Sequence, residues 1–281
     1  MSLLELDEER FLDHFDRLAF AHRHALAGHP LFALHSVARL AAALPIEDVE
    51  HNAGALPIGV DPRAVPRSNR TVGETLRSIE DAGAWVALKY IEKVAPYGTL
   101  LDRCLDEIRP LVGKLAPGMC QPHAFLFVSS PGAVTPYHID PEHNFLLQIR
   151  GRKRVTVWDP ADREAVSELD LEKFLSGGRH RNLPWRDSLA ARGVRFELGP
   201  GDGLHIPVTA PHWVQNGDEV SVSLSVTFRS DVSEAREAVY KVNRLLRKLR
   251  WAPAPVGRRP LVDGLKGRAF GVARRMAHLV R

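Results

Sequence analysis

The chain is 281 residues long, with 44% hydrophobic and 26% charged residues and a formal net charge of +4. That length buries a sizeable core, in one large domain or one domain with extensions, and this composition excludes disordered and fibrous classes. Two cysteines, Cys104 and Cys120, give no disulfide framework and suit a reducing compartment.

No apolar window approaches the length that spans a bilayer, and M-S-L-L-E-L-D-E-E-R-F lacks the basic start and long apolar stretch of a secretory signal. A cytoplasmic protein with no membrane partner is the expectation. Charge is unevenly spread: residues 231–281 hold thirteen Lys/Arg against four Asp/Glu, a net +9, which leaves −5 for residues 1–230.

Residues 1–120 read as a helical region packing on the core. Leu31, Leu34, Val37, Ala38, Ala41 and Leu44 recur at helical spacing and Pro45 ends the pattern. Residues 52–70, rich in Gly and Pro, read as an extended connection. A further amphipathic helix fits residues 99–108, with Leu101, Leu105 and Ile108 on one side.

Within 121–230 the pattern changes to alternation. Strand-like runs fall at 123–129, 135–140, 144–149 and 153–158, then at 194–198, 203–206, 211–215 and 219–228. The turn signals S-P-G, R-G-R, P-G-D-G and N-G-D-E separate them. The expected fold is a mainly β core, a double-stranded β-helix (jelly roll, cupin-like), with helical N-terminal and C-terminal extensions. Residues 161–193 read as an insertion over the mouth of the barrel.

Residues 231–281 read as a basic helical extension. Asp231 with Glu234 resembles a capping pair, and Ala235, Val239, Val242, Leu245, Leu246 and Leu249 form a stripe. After W-A-P-A-P-V-G-R-R-P a second stripe runs Leu265, Ala269, Val272, Met276, Leu279.

The chemistry concentrates in V-T-P-Y-H-I-D-P-E-H-N-F-L-L-Q-I-R-G-R-K-R-V-T-V-W-D-P, residues 134–160. His138 and Asp140 stand two apart, so on a strand both leave one face. His212 follows 74 residues after His138, and the second and seventh strands of a jelly roll can neighbour each other. Two imidazoles and a carboxylate with positions left open make the metal set of a non-haem Fe(II) oxygenase. In a chain with 13 histidines an H-x-D pair also arises by chance, as a hydrogen bond near a strand end.

Lys153 shares strand parity with Val155 and Val157. It reads either as an interior lysine that an anion must meet, or as a strand-mouth lysine reaching water. His143 reads as a solvated turn residue before it reads as a fourth ligand. His205 is a core histidine or a partner to the site, Trp213 a packing residue, and Asp202 a turn former. Arg150 and Arg152 are solvated or meet an acidic substrate.

V-T-P-x-H-x-D-x-x-x-N-F-x-x-Q-I-x-G-x-K-R resembles the core of the JmjC-like, cupin-type 2-oxoglutarate oxygenases, nearest the asparaginyl hydroxylase that inhibits hypoxia-inducible factor. The later P-G-D-x-L-x-I-P-x-x-x-x-H-W is similar to the family's distal-histidine segment. The resemblance covers residues 125–228. It implies that His138, Asp140 and His212 bind Fe(II) and are the catalytic set. It further implies that Lys153 pairs with the C5 carboxylate of 2-oxoglutarate with help from Thr135, and that Asn144 lies near the chelating end. Thr227 stands where that hydroxylase has an amide side chain. Simple alternation puts Thr135 on the face opposite His138, unless Pro136 breaks it.

The implied activity is Fe(II)- and 2-oxoglutarate-dependent dioxygenation, with O2 as oxidant and succinate and CO2 released. The substrate is an amino-acid side chain of a protein or peptide, or a small molecule. Two rivals stand beside it. A non-oxygenase metal-binding cupin, an isomerase or small-ligand sensor, needs a further ligand, for which Glu142 and His143 are the local candidates. A nucleic-acid or ribosome-associated protein would act through the basic tail, whose apolar stripes instead favour a homodimer through the C-terminal helices. Arg179, His180, Arg181, Trp185 and Arg186 of the insertion are the candidates for substrate contact, or an ordinary solvated basic loop.

Overall fold

Along Ser221–Arg229 (β12), Ser221, Ser223, Ser225 and Thr227 alternate with Val222, Leu224, Val226 and Phe228. The apolar set joins a core with Phe11, Leu101, Leu105 and Ile108 from the N-terminal helices. The hydroxyl set turns the other way, into the space between two sheets. One strand thus shows the architecture: one wall of a sandwich backed by helices, with a polar lining inside.

The structure, a computed structural model, describes residues 2–60, 70–178 and 180–279, the side chains of 274, 275 and 277–279 excepted. Residues 61–69 of the expected connection 52–70, Arg179, and the Leu279 side chain of the second stripe lie outside the described residues.

The element order is β1 (Leu4–Glu5), α1 (Glu8–His14), β2 (Phe20–His24), α2 (Leu34–Ala43), β3 (Val49–Ala53), α3 (Val72–Arg77), β4 (Ala84–Leu88) and α4 (Ala95–Leu115). Then follow β5 (Cys120–Ser129), β6 (Val134–His138), β7 (His143–Arg150), β8 (Lys153–Val157), α5 (Glu168–Leu175), β9 (Val194–Leu198), β10 (Asp202–Ile206) and β11 (His212–Asn216). After β12 come α6 (Asp231–Lys248) and α7 (Pro260–Leu279). The large sheet runs β1-β2-β10-β7-β12-β5-β4-β3, and the small one β6-β11-β8-β9. All named pairings are antiparallel. This is the jelly roll expected of residues 121–230.

Two cores flank the small sheet. Leu146, Leu204 and Ile206 of the large sheet meet Val155, Val157 and Val214 of the small one inside the sandwich. Outside it, Tyr137, Ile139 and Trp158 pack against Leu171 and Leu175 of α5 and Tyr240 of α6. The chain passes from one sheet to the other at Gly151, whose φ is +69° and where a Cβ would stand 2.5 Å from the Val220 carbonyl oxygen. Only glycine makes that turn without strain.

Residues 1–120 depart from the helical expectation. They supply β1 to β4, so the large sheet takes both of its flanks from this region. In β2 the inward positions beside Phe20 are His22 and His24, which hides the apolar alternation. In β4, A-W-V-A-L is buried throughout and shows no alternation at all. The tail begins differently too. Ser230, not Asp231, caps α6, in a reciprocal box with Ser233. The extended backbone leaving β12 puts the capping hydroxyl one residue earlier, while Asp231 and Glu234 sit in the first turn and suit its dipole. Both tail stripes are only partly covered: Val239 is buried, whereas Leu245, Leu249, Leu265, Val272 and Met276 are exposed. Among the described residues no helix is long and apolar enough to cross a membrane.

Candidate metal centre

β6 and β11 lie side by side in the small sheet with His138 directly opposite His212. Thr135 faces Val214, so two residues of β6, Pro136 and Tyr137, stand opposite Trp213 alone, a bulge. Proline, with no N–H to give the ladder, is at home in such a bulge. The extra residue turns Thr135 back to the His138 face, where it lines the cavity. Simple alternation therefore fails at this point, for a covalent reason.

His138 Nε2 and His212 Nε2 each stand 3.6 Å from Asp140 Oδ2, and the donor atoms of the three residues all lie within 4.8 Å of one another. Donors 3.6 Å apart can share one ion at the usual distance of about 2.1 Å. His138 Nδ1 donates to the Pro136 carbonyl at 2.6 Å and His212 Nδ1 to the Ala210 carbonyl at 2.9 Å. Each ring thus keeps its Nε2 lone pair for a metal.

The protonation states agree. Burial, with His138 beside it, pushes His212 down to about 3, which leaves it neutral. Burial opposes ionisation of Asp140, but Arg181 and the two imidazoles outweigh it and hold the carboxyl well below its ordinary value. Arg181 Nη1 donates to Asp140 Oδ1 at 3.0 Å, so Oδ2 alone faces the histidines. The donor set fits a divalent transition metal.

Deeper in, Lys153 is 5% exposed. Burial brings its ammonium down to about 7, and no carboxylate among the described residues is paired with it. The inward reading of its parity is the correct one: Val155 and Val157 are buried on the same face. A cleft of about 320 Å³ leads in from outside, with Phe125, Glu142, His180, Arg181 and Thr227 among its walls. An inner extension of about 50 Å³ reaches His138, His212, Lys153 and Ser225. Asn144 lines both and its Oδ1 has no partner. Thr227 lies directly across the sheet from Asn144 and lines the outer cleft alone, its hydroxyl donating to the His123 carbonyl at 3.2 Å.

A family model described as "Cupin-like domain" matches residues 105–234. Jumonji C domain-containing protein 5 of Drosophila melanogaster is 34% identical over 103 residues, 34% of this chain and 25% of that protein. tRNA wybutosine-synthesizing protein 5 of Mus musculus is 32% identical over 117 residues, 38% of this chain and 34% of that protein. The matches thus span a quarter to a third of those relatives' length. A solved structure of YcfD, a ribosomal oxygenase from Escherichia coli, in complex with cobalt and 2-oxoglutarate, aligns with 97% of this chain and 68% of its own, with a TM-score of 0.55 and 17% identity. At that identity the likeness is one of fold.

The coordinates decide several secondary readings. His143 is not a solvated turn residue. It is fully buried and stacked on Phe15 with ring centroids 4.5 Å apart, because β7 begins at His143 itself and turns it toward the helices. His205 is a core residue in the same aromatic cluster, 4.9 Å from Phe145. Neither His143 nor Glu142 joins the candidate metal group. Trp213 packs on the outer core, Arg150 and Arg152 are exposed, and Asp202 accepts from Gly199 N in its turn. Of the insertion's candidates, His180 and Arg181 line the cleft. Trp185 instead packs on Tyr137, and Arg186 is bonded to Glu164.

Three site features went unread in the sequence. Ser225 shares parity with Thr227, which was signal enough to find it. Trp85 and Phe127 line both cavities; Trp85 sits on β4, whose strand character was hidden. Arg181 was a substrate candidate, and its bond to Asp140 has no local signature.

Proposed function

We propose that this chain is an Fe(II)- and 2-oxoglutarate-dependent oxygenase that hydroxylates an amino-acid side chain of a protein or peptide. The observation that carries the reading is one carboxylate oxygen 3.6 Å from two Nε2 atoms whose Nδ1 partners are already fixed, with a buried, uncompensated ammonium beyond them. The names of the relatives support it: a ribosomal oxygenase held with cobalt and 2-oxoglutarate shares the fold, and Jumonji C proteins share part of the sequence.

His138, Asp140 and His212 hold the iron. Lys153 and Thr135 meet the distal carboxylate of 2-oxoglutarate, Asn144 lies toward its chelating end, and Thr227 belongs to the outer cleft. Iron bound there, with O2, couples oxidative decarboxylation of 2-oxoglutarate to succinate and CO2 with insertion of one oxygen atom into a substrate C–H bond. The chain's own part is orientation and exclusion of water. The apolar wall of Leu146, Ile206 and Val214 keeps the inner end dry, while the wider cleft admits the side chain to be modified.

A non-oxygenase cupin is disfavoured, since among the described residues no further His, Cys, Asp or Glu joins the three. The exposed Leu245, Leu249, Leu265, Val272 and Met276 support a homodimer through α6 and α7 over nucleic-acid binding by the tail. Two unpaired cysteines suit a cytoplasmic setting. The test is succinate release from 2-oxoglutarate by the iron-loaded chain incubated with lysate protein, together with +16 Da modifications. The reading requires both, and requires both to vanish in His212→Ala; succinate release undiminished in that variant overturns it.

A further inference from the structure

A buried ammonium with no anion beside it is costly, and a lysine so placed sheds its proton instead. Lys153 is 5% exposed and lines the inner extension, with no carboxylate paired to it among the described residues. Burial brings it down to about 7, so near neutral pH half of it is a free amine. A surface lysine, at about 10.4, is then a free amine in only about one molecule in 2,500. Lys153 is therefore nucleophilic on the order of a thousandfold more often.

The space around this amine suits a small electrophile. The inner extension holds about 50 Å³. A water-sized centre takes roughly 10–15 Å³, so a molecule of three heavy atoms fits. Phe127, Leu146, Ile206 and Val214 give it apolar walls. Three polar atoms on the same walls are buried without partners: Trp85 Nε1, Ser225 Oγ and Asn144 Oδ1. The first only donates, the second can donate, and the third only accepts. A carbamate on Lys153 would offer each what it lacks, in two oxygens and one N–H.

We propose that Lys153 is a modification site: while the pocket holds no cosubstrate, its amine takes up CO2 as a carbamate, and that state excludes 2-oxoglutarate. The Nζ lone pair adds to the carbon of dissolved CO2, one C=O electron pair moves onto oxygen, and an N–H proton leaves to water. The product carries a negative charge where the ammonium carried a positive one, so it repels the distal carboxylate. The exclusion rests on the oxygenase reading, which also releases CO2 into this pocket at every turnover. A chain short of 2-oxoglutarate thus closes its own cosubstrate site.

The full chain, loaded anaerobically with Mn(II), is equilibrated at pH 7 with carbon-13-labelled bicarbonate and CO2. Carbamates are trapped by ethylation with triethyloxonium and mapped by peptide mass spectrometry. The label should appear on Lys153 and not on the exposed lysines. With 2-oxoglutarate at about a hundred times its Kd, labelling of Lys153 should fall at least about tenfold. No label on Lys153, or a label that 2-oxoglutarate leaves undiminished, overturns the proposal. Coupling between two ligands is reciprocal, so added CO2 must also weaken 2-oxoglutarate binding measured by calorimetry. In Lys153→Arg, whose guanidinium stays protonated, that affinity should not respond to CO2, whatever its value. An equal response in both chains overturns the proposal. Labelled Lys153 in a chain that binds no 2-oxoglutarate confirms the site and overturns the oxygenase reading alone.

Discussion

On the proposed reading, cosubstrate capture depends on the charge of Lys153, and that charge is precarious near neutral pH. Burial holds the ammonium at about 7 in the ligand-free pocket. A dicarboxylate seated against it favours the charged form, so binding raises its pKa. Affinity for 2-oxoglutarate is therefore complete below pH 7 and falls about tenfold per unit as pH rises above it, with one proton taken up on binding. Calorimetry at pH 8 in buffers of different ionisation enthalpy checks this, and Lys153→Met should abolish the proton uptake together with most of the affinity. At the metal, Asp140→Ala leaves two imidazoles without their anion and Arg181 without its partner. Metal binding measured by equilibrium dialysis should then drop by at least about a hundredfold, beyond the 10–100-fold typical of losing a group outside the ligand set.

The insertion is held over the site by particular contacts between elements. Residues 181–183 bond to the outer edge of β6: Ile139 N donates to the Arg181 carbonyl at 3.1 Å, and Leu183 N to the Tyr137 carbonyl at 2.9 Å. Behind them α5 is tied to α6 by Glu172, fully buried, which takes two bonds at 2.9 Å from Arg247 Nε. Arg247→Met strands that carboxylate in the core, and breaking a buried pair in this way costs about 3–5 kcal/mol. Urea unfolding should show such a loss; a change below about 1 kcal/mol would mean the pair does not anchor α5. Elements of this kind divide what was legible from what was not. The eight core strands stand in the sequence because their alternation and turn residues agree, and the P-G-D-G turn is marked by the same glycines that build it. β2 and β4 are hidden because the first spends its inward positions on histidines and the second is buried on both faces. His138, Asp140, His212 and Lys153 are legible through spacing and parity. The β6 bulge, the Arg181 bond and Trp85 depend on which segments meet in space, and no local pattern encodes that.

On the scale of the whole molecule, N-terminal helices, sheet and aromatic cluster form one acid-sensitive body. His22 and His143 are both buried, and burial lowers each to about 4 from 6.5. The unfolded chain takes up these protons below pH 6.5 while the folded chain refuses them until about pH 4. Stability is therefore full above 6.5 and declines as pH falls through that window, by roughly 3 kcal/mol for each histidine. Thermal unfolding from pH 7 to 4 should show the decline, and His143→Phe should reduce its slope by about one proton. The tail offers a separate test of assembly. Leu265→Glu with Met276→Glu places charge on the exposed stripe of α7, and a dimer through this face should sediment as a monomer in that variant. Above these stands the iron itself. Anaerobic titration of Fe(II) into the chain with 2-oxoglutarate present should raise a visible charge-transfer band that saturates at one iron per chain. No band, or an undiminished one in Asp140→Ala, would contradict the proposal that His138, Asp140 and His212 hold an oxygenase iron.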